Sequence, residues 1–439
     1  MKNILLVNPR GNIFGKNEKM SNFLQESEYM ESFKLLWSGP NLGLLTLAAL
    51  FPEDWECTYI DENYRSIDST KEYDIVFLSA MTQQIVRAYE IADYYKAKNI
   101  FTVIGGIHVS TLPEDAQHHV DVVLSGEAEN VWFDFYSDYC KGSCKKIYIP
   151  KKNTVYQFEI PLIPRYDLLM DYNYPLITVQ TTRGCPHNCS FCAASKVFGN
   201  KYRRKSNEQI IREFTLVKKL FPDRLILFAD DNAFVYTSLS IELLKQLEEL
   251  SIRFIAQVDI SIANKTELLK AMAKAGCQWV VIGFESVNVN SLYELDDINW
   301  KYKQSKNYPA LIRSIQSFGI GIYGTFIIGL DCDNINIFQD TAQFIIDNQL
   351  YSANITVPTP LPGTKMRTQM QEKGRILDYG WDYYTLWDVV VKFTNFTKEE
   401  IEDGLVQLYK KINSEENIKK RLAHLKQLAK NRNVVLAEK

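Results

Sequence analysis

Short, nearly continuous apolar runs alternate with stretches of helical period along the first 140 residues. The runs ILLVNP (4–9), CTYIDEN (57–63), DIVFLSA (74–80), FTVIGG (101–106) and VDVVLSG (120–126) each close on or beside Asn, Ser, Gly or Asp. Strands buried on both faces of a parallel sheet read this way. Between them, Gln84 to Lys98 sets Ile85, Ala88, Tyr89, Ala92 and Tyr95 on one helical face. The alternation predicts a doubly wound α/β domain over 1–140, with its ligand crevice at the carboxyl ends of the strands.

Prolines, basic residues and tyrosines replace the alternation over 141–175, which predicts a linker packed on both neighbours. Six further strand candidates follow: 176–182, 225–231, 253–259, 279–286, 322–329 and 353–359. Helical stretches such as Ser206 to Leu220 and Ser238 to Leu250 separate them. The spacing predicts a partial parallel (β/α)6 barrel over 176–365, open on one side, with its site at the strand C-termini. The remainder, 366–439, reads as a mostly helical C-terminal extension, charged and without strand signal from Lys398 onward.

The chain has 439 residues, 46% hydrophobic and 23% charged, with a formal net charge of −3. This is a globular composition without a global attraction for nucleic acid or anionic lipid. The longest apolar stretch, Leu42 to Phe51, is well short of the ~18 residues a membrane helix needs and predicts a buried helix. The opening MKNILLVNPRG lacks the features of a secretory signal, so the reading is a soluble, cytoplasmic protein without stable membrane insertion.

Eight cysteines are too sparse for a disulfide scaffold. Three of them, Cys185, Cys189 and Cys192, fall in QTTRGCPHNCSFCAAS, directly after the first strand of the second half. Three thiolates in one loop converge on a soft metal centre. Zinc would want a fourth ligand, and His187 is pinned between two of the cysteines. An iron–sulfur cubane held by three cysteines leaves one iron open, and the readings in order are iron–sulfur, zinc and no metal. Cys140 and Cys144 read as surface or packed thiols, and His118–His119 as a solvated helix end.

The spacing and position of the three cysteines resemble the radical S-adenosylmethionine superfamily. The resemblance implies a 4Fe–4S cluster on Cys185, Cys189 and Cys192, S-adenosylmethionine on the open iron, and Phe191 packed near the adenine. It places Asp230 and Asp231, in FADDN, where the family's second-strand motif contacts the cofactor, although the commonest form there is Gly-Gly-Glu. Gly283, Glu285 and Ser286 fall where polar groups meet the ribose and methionine, and Gly324 and Gly329 where the backbone approaches the adenine. PLPGT (360–364) resembles a motif of the branch that carries an extra N-terminal domain. Each has a plainer reading too: an Asp pair ending a strand is often a helix N-cap, and glycines there are often turns.

The N-terminal half is similar to a Rossmann-like cobalamin-binding domain. Ser79-Ala80-Met81 and Gly105-Gly106, at successive strand ends, match the family's cradle for the cofactor's dimethylbenzimidazole tail. The Asp-x-His-x-x-Gly that supplies a histidine to cobalt is missing: the loop after the first strand, NPRGNIFGKNEK, has no histidine. The resemblance therefore implies base-off cobalamin without a histidine ligand. His108 is the nearest alternative, and Met81, Thr82, Gln83 and Gln84 are candidates for the cobalt's lower face. Gly11-x3-Gly15-Lys16 is one residue short of a phosphate loop, and a dinucleotide glycine motif is missing.

PNLGLLTLAAL, LSAMTQQ, GGIH and QTTRGCP together resemble a branch with bacteriochlorophyll side-chain methylases and hopanoid methylases. That implies a C-methyltransferase acting on a weakly activated carbon of a small molecule of lipid or tetrapyrrole-like character. The route implied is a 5′-deoxyadenosyl radical and methylcobalamin, with electrons from a cytoplasmic donor such as flavodoxin or ferredoxin. Tyr323, Phe326, Tyr383, Tyr384 and Trp387 are candidates for an apolar pocket, with core packing the competing role. Three alternatives stay open: a cobalamin-dependent cyclase or ring-rearranging enzyme, a methylthiotransferase acting on RNA or protein, and a non-enzymatic metal-binding protein.

Overall fold

The computed structural model describes residues 1–11, 16–26, 35, 37–151 and 155–437, with the side chains of 24–26 left aside. Gly15, part of the phosphate-loop comparison, lies outside the described residues. The N-terminal sheet is all parallel: β1 (Lys2–Asn8), β2 (Trp55–Asp61), β3 (Ile75–Ser79), β4 (Phe101–Gly105), β5 (Val122–Leu124) and β6 (Ile147–Tyr148). Its order, β2-β1-β3-β4-β5-β6, reverses direction of growth between β1 and β3. A crevice outside the carboxyl ends of the strands at that switch is the site the topology offers. The strand Ile147–Tyr148 falls inside the stretch read as linker; at two residues it is too short for an apolar pattern to announce it.

The second half holds β7 (Leu176–Val179), β8 (Thr182–Arg183), β9 (Arg203–Arg204), β10 (Leu225–Phe228), β11 (Phe254–Gln257), β12 (Cys277–Glu285), β13 (Gly321–Ile327) and β14 (Ser352–Thr356). Six of these form one parallel sheet in the order β14-β13-β12-β11-β10-β7, an open barrel as the spacing predicts. The antiparallel ribbon β8–β9 pairs Thr182 with Arg204 and Arg183 with Arg203, and was not legible as strand. One face of the large sheet carries an apolar layer of Leu176, Leu227, Ile255, Val281 and Tyr323. Its opposite face joins the main core under the surrounding helices.

Local chemistry fixes the helix starts. Ser206 accepts from the Gln209 N–H at 3.1 Å while the Gln209 side chain accepts from the Ser206 N–H at 2.9 Å, a reciprocal cap for Asn207–Leu220. Asn41 Oδ1 accepts from the Leu44 N–H at 3.2 Å and starts the buried helix Leu42–Ala48.

Several contacts set the halves against each other. Residues 39–40 lie on the inner strand face: Thr178 Oγ1 donates to Pro40 O at 3.3 Å, and a side chain at Gly39 would come within 2.9 Å of both Leu176 and Thr178. Tyrosines of 166–174 bridge the other side. The Tyr174 hydroxyl donates to Asp61 Oδ2 at 2.8 Å, and that of Tyr166 lies 2.7 Å from Glu213 Oε1. The helix Lys398–Ile412 closes the free edge of the barrel, where Ile355 N–H donates to the Tyr409 hydroxyl at 2.8 Å. The helix Glu415–Ala437 packs beneath, with Arg432 Nη2 donating to Gly319 O at 2.7 Å. The second helix thus packs at the strand N-terminal side, whereas the first reaches Gly329, just past β13, through Ile401. The segment between Gly374 and Thr397 also meets Gly329, through Phe393, and among the described residues no helix is long and apolar enough to cross a membrane.

Candidate active site

The three cysteines sit in the loop between β8 and β9, each partly buried and none in a disulfide. Gly184, at φ +85°, opens this loop in a conformation that leaves no room for a side chain, because a Cβ would meet Lys201 O at 2.5 Å. Burial pushes the Cys185 thiol up to about 11 and moves Cys189 further in the same direction, the latter against the nearby Lys301 ammonium. Such thiols ionise when a metal displaces the proton. Among the described residues no three Cys, His, Asp or Glu side chains gather tightly enough for a single ion. A cubane asks for less convergence, because each thiolate takes a different iron. The soft, three-membered donor set fits a 4Fe–4S cluster.

The aspartates of FADDN hold this loop from behind. Asp230 is fully buried; its Oδ1 accepts from the N–H groups of Thr181 and Thr182 at 2.6 and 2.8 Å, and its Oδ2 from the Thr181 hydroxyl at 2.5 Å. Burial raises its carboxyl to about 6 in spite of these bonds. Asp231 accepts from the Gly184 N–H at 3.0 Å. Both side chains, expected against the cofactor, point instead into the backbone that leads to Cys185. Asn232, one step on, donates to Asp259 Oδ2 at 2.8 Å, and His187 Nε2 lies 3.1 Å from the same oxygen. Burial would raise Asp259, but the bonds from His187, Ser261 and Asn232 outweigh it and hold the carboxyl well below the usual range. His187 is thus spoken for by Asp259 and by the Trp300 ring, 4.3 Å away.

At the end of β12 a register shift falls between Gly283 and Glu285, and Glu285 takes φ +65°. A left-handed residue at a bulge beside a cleft stores strain that the surroundings must hold. What holds it is Lys301, which sequence reasoning missed. Its Nζ lies 2.8 Å from Glu285 Oε1 and donates to Gly283 O at 2.8 Å. Burial works against the Lys301 charge, yet Glu285 and then Cys189 keep the ammonium well above its ordinary value. Nothing in NWKYKQ marks this lysine out from its neighbours. Ser286 is buried next to the pair, its hydroxyl accepting from the Asn288 N–H at 3.1 Å.

Three positions expected near the adenine are packed by neighbouring side chains. At Gly324 the space for a side chain is taken by Leu350 and Phe326, and at Gly329 by Phe393, so core packing accounts for both. Phe191 packs against the cluster of Met366, Met370, Tyr384 and Val390 on the C-terminal side.

Two cavities open at the carboxyl end of the N-terminal sheet. One, of about 230 Å³, is lined by Leu47, Phe77, Val103 and Leu124, with Ser79 and Gly105 beside them. The other, of about 500 Å³, is lined by Asn8, Trp37, Met81, Gln83, Gln84 and Trp387. Ser79 and Ile107 line both. A smaller apolar slot that shares Ser79 and Ile107 with a larger cavity fits a cofactor with a flat tail and a wide macrocycle. Gly105 leaves the slot open, since a Cβ there would touch only Leu124 O at 3.5 Å. Gly106 is needed by the chain itself: at φ +105° its Cβ would strike Ala80 N and O at 2.6 Å.

Met81 is 40% exposed, on the wall of the larger cavity, so it is not a core residue. Gln84 donates to Pro9 O at 2.6 Å and accepts from the Met81 N–H at 2.9 Å, which fixes that turn. Thr82 is buried. His108 lines neither cavity: it is fully buried, with Nε2 3.2 Å from Asp115 Oδ2 and its ring 5.0 Å from Trp381. The histidine after Gly-Gly is therefore a packing residue, because its helix turns it away from the strand ends. Of the five aromatic candidates, Trp387 lines the larger cavity, 5.6 Å from Trp37. Tyr323, Phe326 and Tyr384 are core, and Tyr383 lies under Lys16 Nζ at 3.8 Å.

Residues 179–345 match the Radical SAM superfamily. That match runs from the end of β7 to the helix after β13. Residues 34–132 match the B12 binding domain. The two domains together imply a 4Fe–4S cluster, S-adenosylmethionine and cobalamin. The protein is 27% identical to bacteriochlorophyllide d C-12(1)-methyltransferase of Chlorobaculum tepidum, over 87% of this chain and 84% of that one. It is 27% identical to hopanoid C-2 methylase of Rhodopseudomonas palustris, over 77% of this chain and 65% of that one. Its fold is that of TsrM, a radical S-adenosylmethionine methyltransferase from Kitasatospora setae solved with cobalamin and a 4Fe–4S cluster. The TM-score is 0.67 at 13% identity, over 94% of this chain and 89% of that one.

Proposed function

We propose that this protein is a cobalamin-dependent radical S-adenosylmethionine C-methyltransferase whose substrate is a small molecule with a weakly activated carbon. One observation carries the reading. Gln180 and Ala229, at the carboxyl ends of β7 and β10, line the same cavity as Ser79 and Gly105 of the N-terminal sheet. The slot for a cobalamin tail and the mouth of the barrel thus share one wall, as a reaction between two cofactors requires.

When bound, the cluster would supply the electron that cleaves S-adenosylmethionine, and cobalamin the methyl group for the substrate carbon. The protein's own residues do the placing. Cys185, Cys189 and Cys192 hold the cluster, with their loop aimed by Asp230 and Asp231. Ser79 and Gly105 admit the tail, and Met81, Gln83 and Gln84 face the macrocycle. Trp37 and Trp387 meet edge to face on the wall of the larger cavity. A base-off form without histidine is supported by His108, which is committed to Asp115. The relatives that methylate bacteriochlorophyllide and hopanoids favour a tetrapyrrole-like or lipid substrate. A flavodoxin or ferredoxin would serve as electron donor.

The test is anaerobic reconstitution followed by cobalamin assay after cyanide release, then incubation with S-adenosylmethionine, a reductant and a panel of tetrapyrroles and lipids. S-adenosylhomocysteine and 5′-deoxyadenosine in equal amounts, with a methylated product, are expected. Deoxyadenosine formed with a modified but unmethylated product would replace this reading by a ring-forming one. Loaded cluster without cobalamin would overturn it.

A further inference from the structure

Arg183 and Arg203 stand opposite one another in the ribbon β8–β9, at the neck of the loop that carries the three cysteines. Both reach out of the barrel to the same atom. Arg183 Nη1 donates to Glu127 Oε1 at 2.7 Å, and Arg203 Nη1 donates to it at 2.8 Å and to Glu127 Oε2 at 3.0 Å. Arg183 Nη2 donates to Glu129 Oε1 at 2.8 Å. Glu127 and Glu129 belong to the other domain, at the turn after β5 and the first turn of the helix Ala128–Cys140. All four side chains are at most 9% exposed.

This is a desolvated set of two cations and two carboxylates, whose bonds have direction. An apolar contact of the same area would let the two domains slide; forked guanidinium bonds to a shared carboxylate fix one register. The same groups also form part of the smaller cavity's wall: Glu127, Glu129 and Arg183 line it together with Ser79 and Gly105. Whatever fills that cavity touches the carboxylates that hold the neck of the cysteine loop.

We infer that Glu127 is a positioning residue that couples the two cofactor sites, so that a filled tail cavity favours the cluster-bearing loop and a loaded cluster tightens cobalamin binding. The inference rests on the two-cofactor reading above. Two sites that bias one shared element must act on each other by the same factor in both directions. Neither Glu127 nor Glu129 touches the reacting atoms; the effect runs through Arg183 and Arg203.

The experiment titrates hydroxocobalamin into the full chain, cluster-free and cluster-loaded, and reads binding by equilibrium dialysis. In the wild type the loaded protein should bind at least about fivefold more tightly, the lower end of ordinary coupling between sites. Hydroxocobalamin should also change the electron paramagnetic resonance spectrum of the reduced cluster. Glu127→Gln keeps the shape of the side chain and should bring the two affinities within twofold of each other and abolish the spectral change. Equal affinities in the wild type, or an undiminished ratio in Glu127→Gln, overturn the coupling. Should Glu127→Gln fail to fold, Glu129→Gln decides, since it disturbs only the Arg183 arm and must still lower the ratio; an unchanged ratio overturns the inference. Hydroxocobalamin binding to neither preparation overturns the cofactor reading, and the coupling with it, whereas equal binding to both overturns the coupling alone.

Discussion

Lys301 and Glu285 form an ion pair of 2.8 Å next to the cysteine loop, each side chain 9% exposed. The ammonium also caps Gly283 O, so one lysine neutralises the bulged end of β12 and satisfies its backbone. A desolvated pair is asymmetric in its failure: removing one member strands the other charge. Lys301→Met should destabilise the protein by about 3–5 kcal/mol in urea unfolding, and the double variant Lys301→Met/Glu285→Gln should recover most of that loss. A double variant no more stable than the single one would show that Glu285 has a second essential partner.

The two glycines of the N-terminal cradle should separate cleanly. Gly105→Val adds a β-branched side chain to a strand position with room for its Cβ and should fold normally while blocking the slot. Cobalamin retention should fall at least about tenfold, which corresponds to about 1.4 kcal/mol of binding. Gly106→Ala meets the Ala80 backbone at 2.6 Å with φ +105° and should be destabilised whether or not cobalamin is present. Thermal unfolding of both variants, with cobalamin assay of the soluble protein, distinguishes the two outcomes.

Replacing any one of Cys185, Cys189 and Cys192 by Ala should drop iron from about four atoms per chain to less than one after anaerobic reconstitution. Cleavage of S-adenosylmethionine should vanish with it. Most of the lining of the two cavities comes from the N-terminal domain, so hydroxocobalamin should still bind, with the affinity of the cluster-free protein. Cleavage that survives loss of iron would refute the cluster assignment.

Asp230 supplies a pH dependence with a definite sign. Its folded carboxyl is raised to about 6 from an ordinary 3.8, so the folded protein takes up its proton more readily than the unfolded chain does. The contribution of this group to stability therefore falls as pH rises from about 4 to 6 and is level above that. Asp230→Asn keeps an oxygen for the Thr181 and Thr182 N–H groups and cannot ionise. The stability difference between this variant and wild type should move in favour of the variant across that interval, followed by urea unfolding at each pH. A difference that stays flat would mean the three hydrogen bonds fully offset burial of the charge.

The cysteine triplet, the two sets of alternating strands and the Ser79 and Gly105 positions were legible in the sequence because each is local. A loop of three thiols, a run of β-branched residues, or a small residue at a strand end carries its meaning within a few neighbours. The aspartates of FADDN were legible as important, whereas the backbone groups they bind were not. Strand ends are where both cofactors and neighbouring loops meet, and which of the two Asp230 faces depends on the path of 181–185. His108 shows the same limit: its position after Gly-Gly suggested cobalt, and one helical turn delivers it to Asp115 instead.

By itself, the sequence determined the two-part α/β architecture, the loop of three thiols and the small residues at the ends of β3 and β4, since short-range pattern and spacing specify them. Only the tertiary structure decided which side chains serve those sites. Glu127 meets Arg203 across 76 residues, and Lys301 meets Glu285 across a helix and a bulge. Such contacts arise when packing removes charged groups from water and forces each to find a partner, and that pairing is fixed by where the domains dock rather than by anything adjacent in the chain.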